Sequence, residues 1–396
     1  MIEDKLAKRK EIYLSKILEI GCKIKANETL IVELPEEAID VENILIRFQE
    51  KYHINIIFYK RNSKKDYNFF KKKHTFKEQM EYFPSLNFPD CLDNVKYLYL
   101  GCDNQVTDKY LNMLYYADFY QEYSEASYKV QGKDFEKITE LLAKNRYTIA
   151  PIPSNAWART TGMDKKAIWR LLFKTLPAPE TLHEEILRLK EIQKYLNSLN
   201  IDNLYFYTKS GTDLKVGLHN YSRWSSICDN KSTLINFPSY EIFTSPDKYK
   251  IAGKIIIAAP STLYGNEMSE GCLTFDKGKL IECEIDNEEL KSILMYDENK
   301  LNYCGEIGLV SPSSPLAKMH KTFRNLLLDE NCGCHLALGN SLDSTLNIPK
   351  DNNKEEYNFN ESNYHQDIVF GDDSILVEAT VNGKKRVLIE NGDWRI

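Results

Sequence analysis

Hydrophobic residues follow helical spacing at the start of the chain and then fall into short runs separated by polar turns. Apolar positions three and four apart predict a helix over residues 3–22. Three later runs rich in Ile, Leu, Val and Tyr predict strands, and an amphipathic stretch after the first run predicts a helix. In chain order these segments are the strand 29–33, the helix 41–52 and the strands 53–59 and 95–100. Because strands and helices alternate, we expect a mostly parallel sheet flanked by helices.

The pattern changes beyond a proline-rich break at residues 150–154. Apolar spacing over residues 165–199 predicts one long helix, after which short strands separated by polar turns predominate. These strands are 204–207, 214–218, 255–258 and 279–282. A chain of 396 residues is also too long for one ordinary core. We therefore predict an α/β N-terminal domain with a mostly parallel sheet (residues 1–165) and an α+β C-terminal domain (residues 166–396).

Charge and cysteine content narrow the class of protein. The formal net charge of −6 is typical of a soluble acidic protein and disfavours a dedicated nucleic-acid binder. The nine cysteines show no framework spacing, and the chain opens without the apolar stretch of a secretion signal. No apolar run approaches the roughly 18 residues needed to span a bilayer. We therefore expect a cytoplasmic protein with reduced thiols and no membrane partner.

One basic segment offers an alternative function. Residues 59–74 carry seven Lys or Arg against one Asp, with aromatic residues between them, a pattern found in proteins that bind single-stranded nucleic acid. The alternative is a solvated helix or loop whose Tyr and Phe side chains pack inward. We favour this alternative, because no other part of the sequence points to nucleic-acid chemistry, and no glycine-rich nucleotide loop follows any predicted strand.

Side chains that bind metals are concentrated in the last part of the chain. His365 and Asp367 are two residues apart, so a strand would place them on the same face. Four further candidates, each beside a short apolar run, are Glu241, Glu306, Glu330 and His335. Each one alone has an ordinary explanation in a salt bridge or a core hydrogen bond, but together they supply enough oxygen and nitrogen donors for two divalent cations. Paired cations hydrolyse amides at neutral pH, so the sequence indicates a metallohydrolase.

A zinc thiolate site is a further possibility at Cys332-Gly-Cys334-His335. A structural zinc site requires four closed ligands, and no second cysteine pair at suitable spacing completes this one. We therefore favour the carboxylate and imidazole set over a thiolate cluster.

Five strings occur in an order that resembles the thermophilic metallo-aminopeptidase family, which includes aminopeptidases T, S and II. They are NFPSYEIFTSPD, GEIGLV, LLLDENCGCHLALG, HQDIVFG and IENGDW, and they lie between residues 236 and 394. Upstream, the segments 149–158 and 211–214 also resemble the family. The resemblance covers nearly the whole chain and is most specific from residue 236 onward.

The resemblance implies a metal-dependent aminopeptidase that uses two divalent ions per chain to release the N-terminal residue of short peptides. By position in the motifs, the implied metal ligands are Glu241, Glu306, Glu330, His335, His365 and Asp367. We take Glu306 as the bridging carboxylate and count it among the catalytic residues. The ligand types suit Zn²⁺, Co²⁺, Mn²⁺ or Mg²⁺ without choosing among them. The resemblance also implies a homodimer.

One position departs from the family pattern. Family members usually carry a Tyr seven residues after the histidine of the HxALG motif, whereas this chain has Leu342. A phenol there would stabilise a tetrahedral oxyanion, and loss of such a donor costs on the order of 10²–10³ in rate. Tyr240, beside Glu241, is the candidate substitute and our second predicted catalytic residue.

Two other functions compete with aminopeptidase activity. His335, His365 and Asp367 alone match the two-histidine, one-carboxylate triad of Fe(II) oxygenases, and a ring-cleaving dihydroxypyridine dioxygenase resembles this family in fold. A non-catalytic dimeric scaffold that binds metal for folding is the other alternative, and Leu342 keeps it open. Retention of all three glutamates favours two metals and hydrolysis.

Overall fold

The computed structural model describes residues 2–101, 109–263, 266–296, 298, 300–349 and 353–396. The chain forms two compact units. The first comprises Met1–Leu176 together with Asn230–Pro238, and the second comprises Pro177–Asp229 together with Ser239–Ile396. The second unit carries all six candidate metal ligands.

The first unit is built on a parallel sheet. Its strands are β1 (Thr29–Pro35), β2 (Asn55–Arg61), β3 (Val95–Leu100) and β4 (Tyr147–Ala150). Its helices are α1 (Ile2–Lys16), α2 (Ile39–Tyr52), α3 (Ser63–Phe70), α4 (Phe76–Tyr82), α5 (Lys109–Tyr115), α6 (Tyr120–Ala143), α7 (Asn155–Thr161) and α8 (Lys165–Thr175). In the described residues the strand order is β2-β1-β3-β4, and every pairing is parallel. The α/β prediction for this region is confirmed.

The single helix predicted over residues 165–199 is wrong, because the segment forms two helices. Leu176-Pro177-Ala178-Pro179 separates α8 from α9 (Pro179–Ser198). Proline lacks the backbone N–H and disfavours helical backbone in the residue before it, so the first helix ends there. α8 belongs to the first unit, where the ring of Trp169 packs edge-on against Tyr13 at 5.5 Å between centroids. The first unit therefore extends past residue 165 to Leu176.

The aromatic residues of the basic segment 59–74 pack within the first unit. Phe69, in α3, stacks on Tyr82 with 4.1 Å between ring centroids, and Phe70 meets Tyr123 edge-on at 5.2 Å. Lys65 pairs with Glu36 at the surface. The rings thus contribute to packing, as the solvated-helix interpretation predicts.

The second unit is built from antiparallel strands. These are β5 (Ile201–Tyr207), β6 (Asp213–Gly217), β7 (Ser225–Ser226), β8 (Glu241–Thr244), β9 (Ile251–Ile256), β10 (Ser261–Leu263), β11 (Asn266–Met268), β12 (Gly271–Asp276), β13 (Lys279–Ile285), β14 (Cys304–Val310), β15 (His335–Gly339), β16 (His365–Val369), β17 (Leu376–Val381), β18 (Lys384–Glu390) and β19 (Asp393–Trp394). With α9 its helices are α10 (Glu288–Met295) and α11 (Leu326–Asp329). This composition confirms the α+β prediction.

Two large sheets contain most of the described strands of the second unit, and β10 and β11 form a separate antiparallel pair. An eight-stranded sheet has the order β13-β12-β9-β6-β5-β17-β18-β19, and a five-stranded sheet has the order β16-β15-β14-β8-β7. Every residue of β14 and β15 is buried. Strands covered on both faces are expected to be almost wholly apolar. A glutamate and a histidine in these two strands are therefore exceptions that require an explanation.

The longest helices in the described residues are α6 and α9, with 24 and 20 residues. α9 buries Leu182, Leu189 and Leu196, which recur every seven residues along one face. Within the part of the chain that the structure describes, no helix combines the length and the apolar character needed to cross a membrane.

Candidate metal centre

The five-stranded sheet positions the candidate ligands on neighbouring strands. Glu241 begins β8, Glu306 lies in β14, His335 begins β15, and β16 carries His365 and Asp367. The sixth candidate, Glu330, lies in the 3₁₀ turn that follows α11. His365 and Asp367 share one face because side chains alternate along a strand, as the sequence predicted.

Small residues separate the ligands across the sheet. Ala337 pairs with Glu306 on one side and with Asp367 on the other. Gly308 pairs with His335, and a Cβ atom on Gly308 would lie 2.1 Å from Nε2 of that ring. The small residues therefore leave the volume in which the larger polar side chains converge.

One group of candidate ligands contains Glu241, Glu306 and His335. Nε2 of His335 lies 3.3 Å from Oε2 of Glu241 and 3.7 Å from Oε1 of Glu306. The other ring nitrogen, Nδ1, lies 3.2 Å from the carbonyl oxygen of Gly333. A proton on Nδ1 would satisfy that carbonyl and leave the lone pair of Nε2 for a metal ion.

A second group contains Glu306, His365 and Asp367. Nε2 of His365 lies 3.4 Å from Oε2 of Glu306 and 3.4 Å from Oδ1 of Asp367. Its Nδ1 lies 3.0 Å from the carbonyl oxygen of Asn340. Both imidazoles are thus oriented in the same way, and Glu306 presents one carboxylate oxygen to each of them.

Burial and mutual charge dominate the electrostatics of this cluster. Burial opposes a charged imidazole, but the adjacent carboxylates outweigh it and hold the pKa of His335 and of His365 well above the usual value. Burial, with the negative charges of Glu241 and Asp367, raises the pKa of the half-buried Glu330 well above its usual range. Buried carboxylates are costly unless they are paired, and here they outnumber the imidazoles. This donor set fits divalent cations, which would neutralise the excess charge.

Two polar residues that hold the ligands were not anticipated from sequence. Oγ of Ser239 donates to Oε1 of Glu241 at 3.2 Å. Asn331 is fully buried, and its side-chain amide donates to Oε1 of Glu330 at 3.4 Å. The only sequence signal for Asn331 was its position directly after Glu330 in the DEN string.

The structure places Tyr240 and Leu342 outside the two ligand groups. The backbone N–H of Tyr240 donates to Oδ1 of Asn331 at 2.6 Å. Burial and the negative charge of Glu185, in α9, raise the pKa of the Tyr240 phenol. Leu342 is half-buried in the loop after β15, where its N–H donates to Oγ of Ser245. The structure thus ties Tyr240 to the cluster through its backbone, and the role of its phenol as an oxyanion donor stays a prediction.

The positions of the nearby cysteines and of the two histidines bear on two alternatives, a zinc thiolate site and a single iron triad. The thiols of Cys332 and Cys334 donate to the carbonyl oxygens of Leu328 and Val310. Within the described residues, neither ligand group includes a cysteine, and the two imidazoles fall in different groups. This division favours two carboxylate-rich sites over one iron triad made of both histidines and Asp367.

Comparisons with known proteins match this chain to a metalloprotease family and to several aminopeptidases. A family model described as thermophilic metalloprotease (M29) matches residues 6–394. Aminopeptidase PepS of Streptococcus thermophilus is 29% identical over 291 residues, which cover 68% of this chain and 70% of the relative. Aminopeptidase AmpS of Bacillus subtilis is 27% identical and covers 67% and 70% of the two chains. Aminopeptidase T of Thermus thermophilus is 28% identical and covers 65% and 67%.

Two solved structures share the fold. Wild-type AmpT from Thermus thermophilus aligns over 100% of both chains with a TM-score of 0.77 and 21% identity. A 2,5-dihydroxypyridine dioxygenase from Pseudomonas putida KT2440 aligns over 98% of this chain and 96% of its own, with a TM-score of 0.52 and 12% identity. At these identities the structures establish the architecture alone.

Proposed function

We propose that this chain, which belongs to the thermophilic metalloprotease family M29, releases the N-terminal residue of short peptides with two divalent ions bound per chain. Family membership confirms the resemblance drawn from the five sequence strings, and the chain is a metallo-aminopeptidase. The observation that carries the two-ion proposal is the position of Glu306. Its carboxylate oxygens lie 3.7 Å from Nε2 of His335 and 3.4 Å from Nε2 of His365.

We assign one ion to Glu241, Glu306 and His335, and the other to Glu306, His365 and Asp367. Glu330 belongs to neither group of three, but Glu241 and Asp367 act on its charge, and we propose it as a further metal ligand. When bound, two such ions supply an acidified water and polarise the scissile carbonyl. The physiological metal is proposed to be Zn²⁺, Co²⁺, Mn²⁺ or Mg²⁺, because carboxylate and imidazole ligands suit all four.

The protein groups around the ligands contribute orientation. The carbonyl oxygens of Gly333 and Asn340 hold the two imidazoles so that each Nε2 points at carboxylates. The hydroxyl of Ser239 holds one oxygen of Glu241. Because these ligands lie in buried strands, they are held in place before the substrate arrives, and little reorganisation is needed during reaction.

The test combines metal content with peptide turnover. Purified protein is stripped with a chelator, reloaded separately with each of the four metals, and analysed for metal per chain. A short peptide with a free N-terminus is then compared with its N-acetylated form. We expect about two ions per chain, turnover that returns on reloading, and no cleavage of the acetylated peptide, because an exopeptidase needs the free amine.

Two outcomes would contradict the proposal. A single site that prefers iron would favour the dioxygenase alternative. Full metal loading without turnover of any free peptide would favour the scaffold. We also propose a homodimer, which sedimentation of the metal-loaded protein would test directly.

A further inference from the structure

The side chain of Asn331 joins two segments that carry candidate metal ligands. Among the described hydrogen bonds, it bonds both to the segment that enters Glu241 and to Glu330. The side chain is fully buried. Oδ1 accepts the backbone N–H of Tyr240 at 2.6 Å, directly before Glu241 in the chain. Nδ2 donates to Oε1 of Glu330 at 3.4 Å and to the carbonyl oxygen of Leu327 at 3.0 Å.

These bonds link segments that are distant in the sequence. Tyr240 and Glu241 enter β8, whereas Glu330 follows α11. The bond to Leu327 holds the Asn331 amide against the backbone of α11. With the amide so held, Oδ1 sets where the backbone of Tyr240 lies, and Nδ2 sets where the carboxylate of Glu330 lies.

We propose that Asn331 is a positioning residue that fixes Glu241 and Glu330 relative to each other for the ion held with His335. The inference rests on the proposed function, since it presumes that these carboxylates bind metal. Asn331 does not bind the ion. It acts through the backbone before Glu241 and through the carboxylate of Glu330.

The amide is required because it offers an acceptor and donors on one short side chain. Leucine has the same branched shape with bulkier ends, but would leave the N–H of Tyr240 without this acceptor and the carboxylate of Glu330 without this donor. A buried polar group that loses its partner destabilises the fold, so the two segments would shift to recover a hydrogen bond. Aspartate keeps the acceptor for Tyr240 but has no donor for Glu330.

The experiment compares Asn331→Leu and Asn331→Asp with the control Asn325→Leu. Asn325 is another fully buried asparagine, at the opposite end of α11, and its side chain is not bonded to either carboxylate in the described contacts. Metal-free protein is titrated with Co²⁺ against a competing chelator. The visible absorption of bound Co²⁺ reports ligand geometry independently of turnover, and thermal unfolding of the metal-free protein reports folding.

We expect Asn331→Leu to weaken one of the two Co²⁺ sites by about 10–100-fold and to change its absorption, as loss of an outer partner typically does. The other site, held by His365 and Asp367, should change by less than about threefold. Asn331→Asp should fall between Asn331→Leu and the parent, because it keeps the tether to Tyr240. Asn325→Leu should retain both affinities even if it lowers the unfolding temperature.

The inference is overturned if Asn331→Leu retains both affinities, or if Asn325→Leu weakens the same site equally. If Asn331→Leu does not fold, Asn331→Asp decides: parental affinity at both sites overturns the inference, and selective loss at one site supports it. A parent that binds fewer than two Co²⁺ ions, or that cleaves no free peptide, contradicts the proposed function instead. The two failures are thus distinguishable.

Discussion

The ring of His335 occupies the space that a side chain on Gly308 would need: a Cβ atom on Gly308 would lie 2.1 Å from Nε2 and 2.2 Å from Cε1 of that ring. The two residues pair directly between β14 and β15. Gly308 does not have the positive φ that would itself demand glycine. The absence of a side chain is therefore required by the imidazole alone.

Gly308→Ala should displace the ring of His335 and weaken metal binding at the site that contains it. A misplaced imidazole is expected to cost about 10–100-fold in affinity, with a matching fall in kcat. Titration of the metal-free variant with Co²⁺ and peptide turnover under saturating metal would measure both effects.

Gly132→Ala is the matched control for that substitution. Gly132 lies inside α6, and a Cβ atom there would lie 3.2 Å from the ring of Tyr128, which is 61% exposed and bonded at the surface to Glu136. Alanine in a helix interior is favoured over glycine by about 0.5–1 kcal/mol, so this variant should unfold at a slightly higher temperature with unchanged metal binding. Equal loss of metal in both variants would mean that the steric argument at Gly308 is wrong.

Glu306→Gln and Asp367→Asn should differ in the number of ions they lose. Glu306 belongs to both ligand groups, whereas Asp367 belongs to the group with His365 only. We expect Glu306→Gln to lose tight binding of both ions and Asp367→Asn to retain about one ion per chain. Elemental analysis after gel filtration would measure this, and identical stoichiometry in the two variants would argue against a shared carboxylate.

His365→Ala should remove far more activity than His320→Ala. Nε2 of His365 lies 3.4 Å from carboxylate oxygens of both Glu306 and Asp367. The side chain of His320 is 65% exposed and lies beside the carboxylate of Asp373 at the surface. Loss of a ligand imidazole leaves the metal loosely held and misplaced, so we expect kcat/KM to fall by more than about 100-fold in the first variant only. Comparable losses in the two variants would show that the ligand assignment is wrong.

Leu342→Tyr should raise kcat with little change in KM. The added phenol would donate to the oxyanion, which exists only in the transition state, and one such donor is worth at most about 10²–10³. Steady-state kinetics of the metal-loaded parent and variant on one free peptide would measure the gain. No gain would indicate that Leu342 does not approach the reacting carbonyl.

Tyr240→Phe should change kcat by less than about twofold. The backbone N–H of Tyr240 donates to Asn331. Burial and the negative charge of Glu185, in α9, raise the pKa of the Tyr240 phenol. The variant keeps that N–H and removes only the phenol. A fall of 10²–10³ would assign the oxyanion role to Tyr240, as the sequence predicted.

The cysteines should differ sharply in their reaction with iodoacetamide at pH 8. Cys91 is exposed, whereas burial raises the pKa of Cys22 to about 12 and of Cys283 to about 11. Because the thiolate is the nucleophile, a raised pKa means less reactive thiol at this pH. Peptide mass spectrometry should show labelling of Cys91 first and of the other two only after unfolding. If Cys22 in the folded protein is labelled as fast as Cys91, the burial of the Cys22 thiol in the first unit is contradicted.

The sequence by itself determined the fold class, the family and most elements of the first unit. β3 spans Val95–Leu100, the same residues that the apolar run predicted, because a short run of apolar and aromatic residues is a local signal for a buried strand. The ordered strings from residue 236 onward identified the metallo-aminopeptidase family. Residue types alone also indicated carboxylate and imidazole chemistry. The apolar periodicity alone was misleading at Pro177, where the helical pattern continued but the helix ended, and a new helix begins at Pro179.

Only the tertiary structure decided how the ligands meet. β14 pairs with β8 on one side and β15 on the other, and this pairing brings Glu241, Glu306 and His335 together from distant parts of the chain. Strand order depends on long-range burial and hydrogen bonding, which no local pattern records. The roles of Gly308 and Asn331 also depend on long-range contacts. Gly308 is required because pairing of β14 with β15 brings the His335 ring against it, and the amide of Asn331 is required because folding brings Tyr240 to it.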